Sequence, residues 1–438
     1  MSKRNTILFI TILILVIGAV WGFMYLRKDK DTTGETTPTN FLVKFNPFKT
    51  KTPTTTPGDE GNTPRDDDNT PGQSGNDTNL KMISSMPVAG FGLFSKERIT
   101  DVVFKPAEGI DTVTTPVAGS IATEFALAVR YVEKATGNIY QSFVDKIDEQ
   151  KFSQTLVPRV QEALLGKDTE SVVMRSTKYD DVTILSFAGN VPKENMSDST
   201  TGNKEITGAF LSDNITDMSM SPDKSQIFFL LNVGENAIGS TSGVLGDKKI
   251  QVFDSPFTEW LSQWPNKDLI TLTTKPSANV LGYMYAINPT RKDFNRVMGD
   301  INGLTTLTSP TGKLVLWTDS SLSLEIFNTE TKTSSTLGIK TLPEKCVWGG
   351  ASDFIYCSVP KYIEGASYPD AWYMGKVSFS DEIWKIDVAT QTGSMISDMA
   401  SAQGIEDMDN IKLALDQDEN YLFFINKKDS HLWELKLK

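Results

Sequence analysis

Histidine is almost missing from this chain: His431 is the only one in 438 residues. A Ser/His/Asp or Cys/His nucleophilic site would have to be built on that one residue, which opens a strand-like run, and histidine-rich metal sites are excluded by count. Cysteine is nearly as scarce, with only Cys346 and Cys357. Basic residues are in deficit, giving a formal charge of -12, and the nine basic and nine acidic residues before Leu80 cancel, so the whole negative excess falls on residues 80–438. A domain of that sign repels phosphate backbones, which sets nucleic acid aside as a partner. Carboxylates show no clustered signature of a metal site, and nothing in the sequence calls for a cofactor.

Charge of either sign is absent from Thr6 to Leu26. The run "ILFITILILVIGAVWGFMYL" is long enough to cross a hydrocarbon core of about 30 Å at about 1.5 Å per residue, so residues 6–26 are predicted to form a transmembrane helix behind a short tail, residues 1–5. The small residues of a cleavable signal peptide are missing as well, since Trp21, Phe23, Met24 and Tyr25 crowd that place. The segment therefore reads as an uncleaved anchor. Residues 27–79 are rich in Thr, Pro, Gly, Asn and Asp, as in "TKTPTTTPGDEGNTPRDDDNTPGQSGNDTN", and hold too few apolar groups to offset the entropy of ordering. A disordered stalk is expected there. Lys3 and Arg4 face Arg27, Lys28 and Lys30 across the span, a balance that orients poorly. A stalk of this composition suits display outside the cell, so the expectation is a single-pass protein of the cytoplasmic membrane with its N-terminus inside.

Residues 80–438 carry a repeat. The stretches "ITDMSMSPDKSQIFFLL" (215–231), "GLTTLTSPTGKLVLWT" (303–318) and "IKLALDQDENYLFFIN" (411–426) each place an alternating strand, a polar turn and a strongly apolar strand in succession. A third strand of shared appearance follows: "NIYQSF" (138–143), "KIQVFD" (249–254), "YMYAIN" (283–288), "LEIFN" (324–328), "EIWKID" (382–387) and "HLWELK" (431–436). Turn residues and a more polar fourth strand complete the unit. With Leu127, Val172, Ile227, Leu269, Leu314, Phe354 and Leu422 as markers of the second strand, most units recur at roughly 40–45 residues, the interval of propeller blades.

The "SPDK" and "SPTGK" turns, each leading into an apolar strand and then an Ile/Leu-aromatic-x-Ile/Leu-Asp/Asn strand, resemble the WD-repeat-like β-propeller repeats of the TolB type. The resemblance covers residues 80–438 and implies an all-β, seven-bladed β-propeller of four-stranded antiparallel blades, similar to membrane-anchored bacterial cell-surface propellers. If "HLWELKLK" is the third strand of the last blade, its outer neighbour has to come from elsewhere, and "LKMISSMPVAGFGLF" (80–94) is placed to supply it before entering the first blade. Ring closure of this kind leaves no open edge.

In a propeller the loops joining second and third strands emerge on one face, and two long insertions fall in that class, 232–249 and 361–382. The second carries Tyr362, Tyr368, Trp372 and Tyr373, aromatic groups of the kind that anchor partners, or else fold the loop onto the propeller's own rim. Insertions at 95–121 and 191–205 belong on the opposite face. A hairpin centred between Ala351 and Ser352 sets Cys346 directly opposite Cys357, close enough for a disulfide; two buried free thiols are the alternative. The functional reading is a membrane-anchored extracytoplasmic module that binds a protein or glycan partner, rather than an enzyme. The alternative is an extracytoplasmic hydrolase or lyase using carboxylates in the propeller funnel.

Overall fold

The computed structural model describes residues 79–99, 123–193, 204–398 and 407–438. The predicted span over 6–26 and nearly all of the predicted stalk over 27–79 lie outside these residues. Among the described residues no helix is long and apolar enough to cross a membrane.

The described chain forms seven four-stranded antiparallel sheets. β1 (Leu80–Met82) precedes blade 1 in the chain. Blade 1 holds β2 (Val88–Ile99), β3 (Thr123–Glu133), β4 (Ile139–Phe143) and β5 (Gln150–Lys151), and blade 2 holds β6 (Val160–Leu165), β7 (Ser171–Thr177), β8 (Ile184–Asn190) and β9 (Thr207–Phe210). Blade 3 comprises β10 (Ile215–Met220), β11 (Gln226–Val233), β12 (Asn236–Gly243) and β13 (Ile250–Ser255); blade 4 comprises β14 (Trp260–Asn266), β15 (Leu269–Thr274), β16 (Leu281–Ile287) and β17 (Phe294–Asn302). Blade 5 runs through β18 (Thr305–Thr308), β19 (Leu314–Thr318), β20 (Ser323–Asn328) and β21 (Thr333–Lys340), and blade 6 through β22 (Cys346–Trp348), β23 (Phe354–Pro360), β24 (Asp381–Asp387) and β25 (Thr392–Asp398). Blade 7 has β26 (Asn410–Leu415), β27 (Tyr421–Asn426) and β28 (Leu432–Lys436) from one end of the domain and β1 from the other, with Leu80 opposite Leu435 and Met82 opposite Trp433. The protein is thus a seven-bladed β-propeller closed by its own first strand, which covers the edge of β28.

Second strands read as continuous apolar runs because both of their faces are buried. In β11, Ile227 and Phe229 join a cluster with Val173 of blade 2, while Phe228 and Leu230 join one with Trp260 of blade 4. Every interface between neighbouring blades has such a cluster of its own. Toward the axis the inner strands approach closely; a Cβ on Gly90 of blade 1 would stand 1.9 Å from the carbonyl oxygen of Ala163 of blade 2.

Each interface is also spanned by a polar side chain. Arg130 donates to the Thr169 carbonyl at 3.2 Å across blades 1 and 2, Arg175 to the Thr216 carbonyl at 3.0 Å across blades 2 and 3, and the Ser262 N–H to Asp217 at 2.7 Å across blades 3 and 4. Gln263 bridges to Thr306 and Thr308 of blade 5, Trp348 of blade 6 donates back to the Leu307 carbonyl, Lys345 reaches Asp409 of blade 7, and Lys412 reaches the Ala89 carbonyl of blade 1. A non-directional apolar interface lets sheets slide; these directional bonds fix its register.

One strand assignment from the sequence is corrected. The third strand of blade 3 is Asn236–Gly243, "NAIGSTSG", and "KIQVFD" belongs to the fourth strand. The stretch 232–249 is therefore no insertion on the face of the second-to-third-strand loops. Val233 pairs with Asn236 across a two-residue turn there, and the extra length, 244–249, joins the third and fourth strands on the opposite face.

Candidate functional site

Three places merit attention: the long insertion of blade 6, the inner strands, and the face where the first-to-second and third-to-fourth turns emerge.

The insertion, residues 361–380, folds back onto the ring instead of projecting from it. A short helix, α1 (Asp370–Tyr373), turns Trp372 inward. Tyr368 and Trp372 are each only 4% exposed and pack with Phe379, Leu322 and Leu342; Tyr362 is 73% exposed and Tyr373 39%. The Pro369-Asp370 pair thus starts a helical turn that buries Trp372, so this ring does not face solvent as a partner anchor would. Asp370 accepts from the Ala278 N–H of blade 4 at 2.6 Å, the Lys427 ammonium of blade 7 donates to the Trp372 carbonyl, and Tyr373 donates to Glu344. The insertion is strapped over blades 4 to 7.

Beneath it lies a buried ion cluster. Lys345, fully enclosed, bonds Asp381 at 2.7 Å, Asp409, and the Asn410 carbonyl at 3.0 Å. Asp409 also accepts from Trp372 Nε1, Ser378 Oγ and the Phe379 N–H. Burial would raise Asp409, but Lys345 and these donors hold it below its ordinary value; burial pushes Asp381 up to about 6 against the pull of Lys345. The groups come from residues far apart in sequence, and no sequence pattern announces them.

On the inner strands, burial raises Asp217 to about 6, opposed by bonds from the Ser262 hydroxyl and N–H. Burial would raise Glu162 too, yet Lys412 and Arg175 together keep it lowered. Both carboxylates are already engaged in bridging blades. Among the described residues no group of three or more His, Cys, Asp or Glu is placed to hold a metal. His431 sits 3.3 Å from Asp429 in the turn before β28. Cys346 lies opposite Cys357 in the β22–β23 register with Cα atoms 4.0 Å apart, and their sulfurs are bonded.

The opposite face is open. A cleft of about 930 Å³ runs across blades 2 to 4, lined by turns that the repeat brings to one side of the ring. Its lining contains Lys167, Lys224 and Lys267 from first-to-second turns and Lys248 and Lys292 from third-to-fourth turns, against two acids, Glu170 and Asp247. Sequence reasoning missed this site, since each lysine alone is an ordinary turn residue.

No family model matches the chain, and no curated protein matches it. Among solved structures it is similar to an oligogalacturonate lyase from Vibrio parahaemolyticus (5% identity, TM-score 0.44, covering 72% of this chain and 86% of that one). It is similar also to an oligogalacturonate lyase in complex with manganese (8% identity, TM-score 0.44, 71% and 86%) and to TolB from Acinetobacter baumannii (11% identity, TM-score 0.38, 59% of each). These are likenesses of fold alone.

Proposed function

We propose that this protein is a membrane-anchored binding module whose ligand side is the face of the first-to-second and third-to-fourth turns. In this reading residues 6–26 anchor the chain in the cytoplasmic membrane with the N-terminus inside, residues 27–79 act as a stalk, and the propeller stands outside. The uncharged run of 6–26 supports the anchor, and the Cys346–Cys357 bond fits an oxidising compartment.

The observation that carries the ligand side is the open cleft over blades 2 to 4, set against an opposite face strapped by the protein's own insertion. Ligand sites are concave and few in a protein. The hydrolase or lyase reading is the weaker one: Asp217 and Glu162, the carboxylates it would need, are each bonded to partners that fix the ring.

A photo-cross-linking residue placed at Ser225, in the cleft, is expected to trap a partner in the native membrane, and the same residue at Tyr362 is expected to trap none. The reverse pattern would move the ligand side to the insertion. Protease added to intact cells should release the propeller by cutting within 27–79, and full protection would place the domain on the other side.

A further inference from the structure

We infer that the cleft over blades 2 to 4 takes a hydroxyl-rich polyanion, an acidic glycan segment, an inference that rests on the cleft being the ligand side. The charge is the first reason. Residues 80–438 carry the whole of the -12 excess, yet the cleft inverts that balance, with five lysines to two acids. Among the described residues Lys167, Lys248 and Lys292 make no ion pair, Lys224 feels Asp168 of the neighbouring turn without a salt bridge, and Lys267 meets only its neighbour Asp268 at 4.0 Å. A concave site that focuses one sign within a domain of the other draws ligands of opposite charge.

The second reason is how the lysines are held. The Lys224 N–H bonds the Ser221 carbonyl at 2.8 Å, the Lys292 N–H bonds the Asn288 carbonyl at 2.7 Å, and the Lys167 N–H bonds the Lys224 carbonyl of the next blade at 3.0 Å. Their Cα positions are pinned by the turns, so docking a ligand requires ordering only the side-chain stems. Lysines of each kind stand on successive blades, a placement suited to an extended chain bearing charges at intervals.

The rest of the lining narrows the class. Among the ammonium groups stand Ser171, Asn190 and Thr290, short hydroxyl and amide groups matched to a ligand rich in hydroxyls, while the hydroxyls of Ser225, Thr241 and Ser242 already donate to Asp223 and to the Ile250 and Gly243 carbonyls. The one aromatic residue, Trp264, is 7% exposed. A protein partner would be met by exposed aromatic anchors around a dry centre, and single-stranded nucleic acid by aromatic stacking platforms; the cleft has neither.

The test uses the full chain in nanodiscs and titrates alginate oligosaccharides, neutral dextran and poly-glutamate. Alginate should bind, weaken roughly tenfold between 50 and 300 mM salt, and weaken at least tenfold in K224N/K248N/K292N. Asn is chosen because these three lysines have positive φ, between 51° and 62°, where Asn is well tolerated, so the variant should melt within a few degrees of the parent. Dextran should not bind, and poly-glutamate should bind at least tenfold more weakly than alginate. Alginate binding that is absent, or unchanged in the folded variant, overturns the inference. Equal binding of poly-glutamate overturns its glycan part in favour of an acidic protein. If Ser225 traps a partner whose capture ignores salt and the lysine changes, the charge argument fails while the cleft stands as the ligand side; if Ser225 traps none and Tyr362 does, the cleft itself is lost.

Discussion

Trp372 shows at a single residue why aromatic content alone does not identify a binding surface. Its ring packs against Phe379, its Nε1 donates to Asp409, and the Lys427 ammonium lies 3.8 Å from its centroid. Replacing it with alanine empties a buried site and orphans part of a carboxylate, so a loss of about 3–5 kcal/mol is expected in denaturant unfolding. Tyr362→Ala, on the exposed stem of the same loop, should change stability by less than about 0.5 kcal/mol. Glu434 gives a pH prediction. It is 2% exposed, its nearest cation is Lys81 at 4.0 Å, and burial pushes it up to about 7. A carboxyl raised in the folded state stabilises while protonated, so its contribution is complete below about pH 4.5 and is lost as pH rises toward and through 7. Glu434→Gln should flatten that decline and stabilise the protein at pH 8 by an amount on the order of 2 kcal/mol, read from melting curves across pH.

At the scale of the element, the hairpins were legible and their exceptions have physical causes. Ser221-Pro222 and Ser309-Pro310 turns between an alternating strand and an apolar one leave little room for another reading, and all seven marker residues do fall in second strands. Blade 3 departs from the reading because β12 buries Ser240, Thr241 and Ser242 where the third strands of blades 5, 6 and 7 bury Ile or Leu, leaving no hydrophobic alternation to follow. The helix α1 is a single turn, too short for a 3.6-residue period to register. The lysine cleft and the Lys345 cluster depend on which turns and strand ends the ring brings together, and no window along the chain contains that. The Cys346–Cys357 hairpin was readable since its register follows from one turn. With the two cysteines 11 positions apart in sequence, the chain-entropy model gives about 2–3 kcal/mol for the cross-link. C346A/C357A should lose about that much, and the parent should fall to the same melting temperature under reductant once its bond is cut.

For the whole molecule, stability and closure are one property. Seven apolar clusters and seven polar bridges run around the ring, so an opening at any seam releases its neighbours. Deleting 80–94 removes β1 and much of β2. The remaining domain should lose its cooperative unfolding transition and self-associate along the bared edge of β28, which size-exclusion chromatography would register as a shift to large species; a monomer with the parent's transition would contradict the closure seen here.

The seam also sets where the molecule feels a pull. Asn79 accepts from the Lys436 N–H at 2.7 Å, at the start of a pair only three residues long. Tension arriving from the residues before Asn79 therefore enters the ring through the shortest link in blade 7, and peels that pair one bond at a time before it strains any other blade. A ring pulled from this end has a mechanical weak point at its seam: under load the propeller would unlatch at blade 7 first and shut again when the load is released.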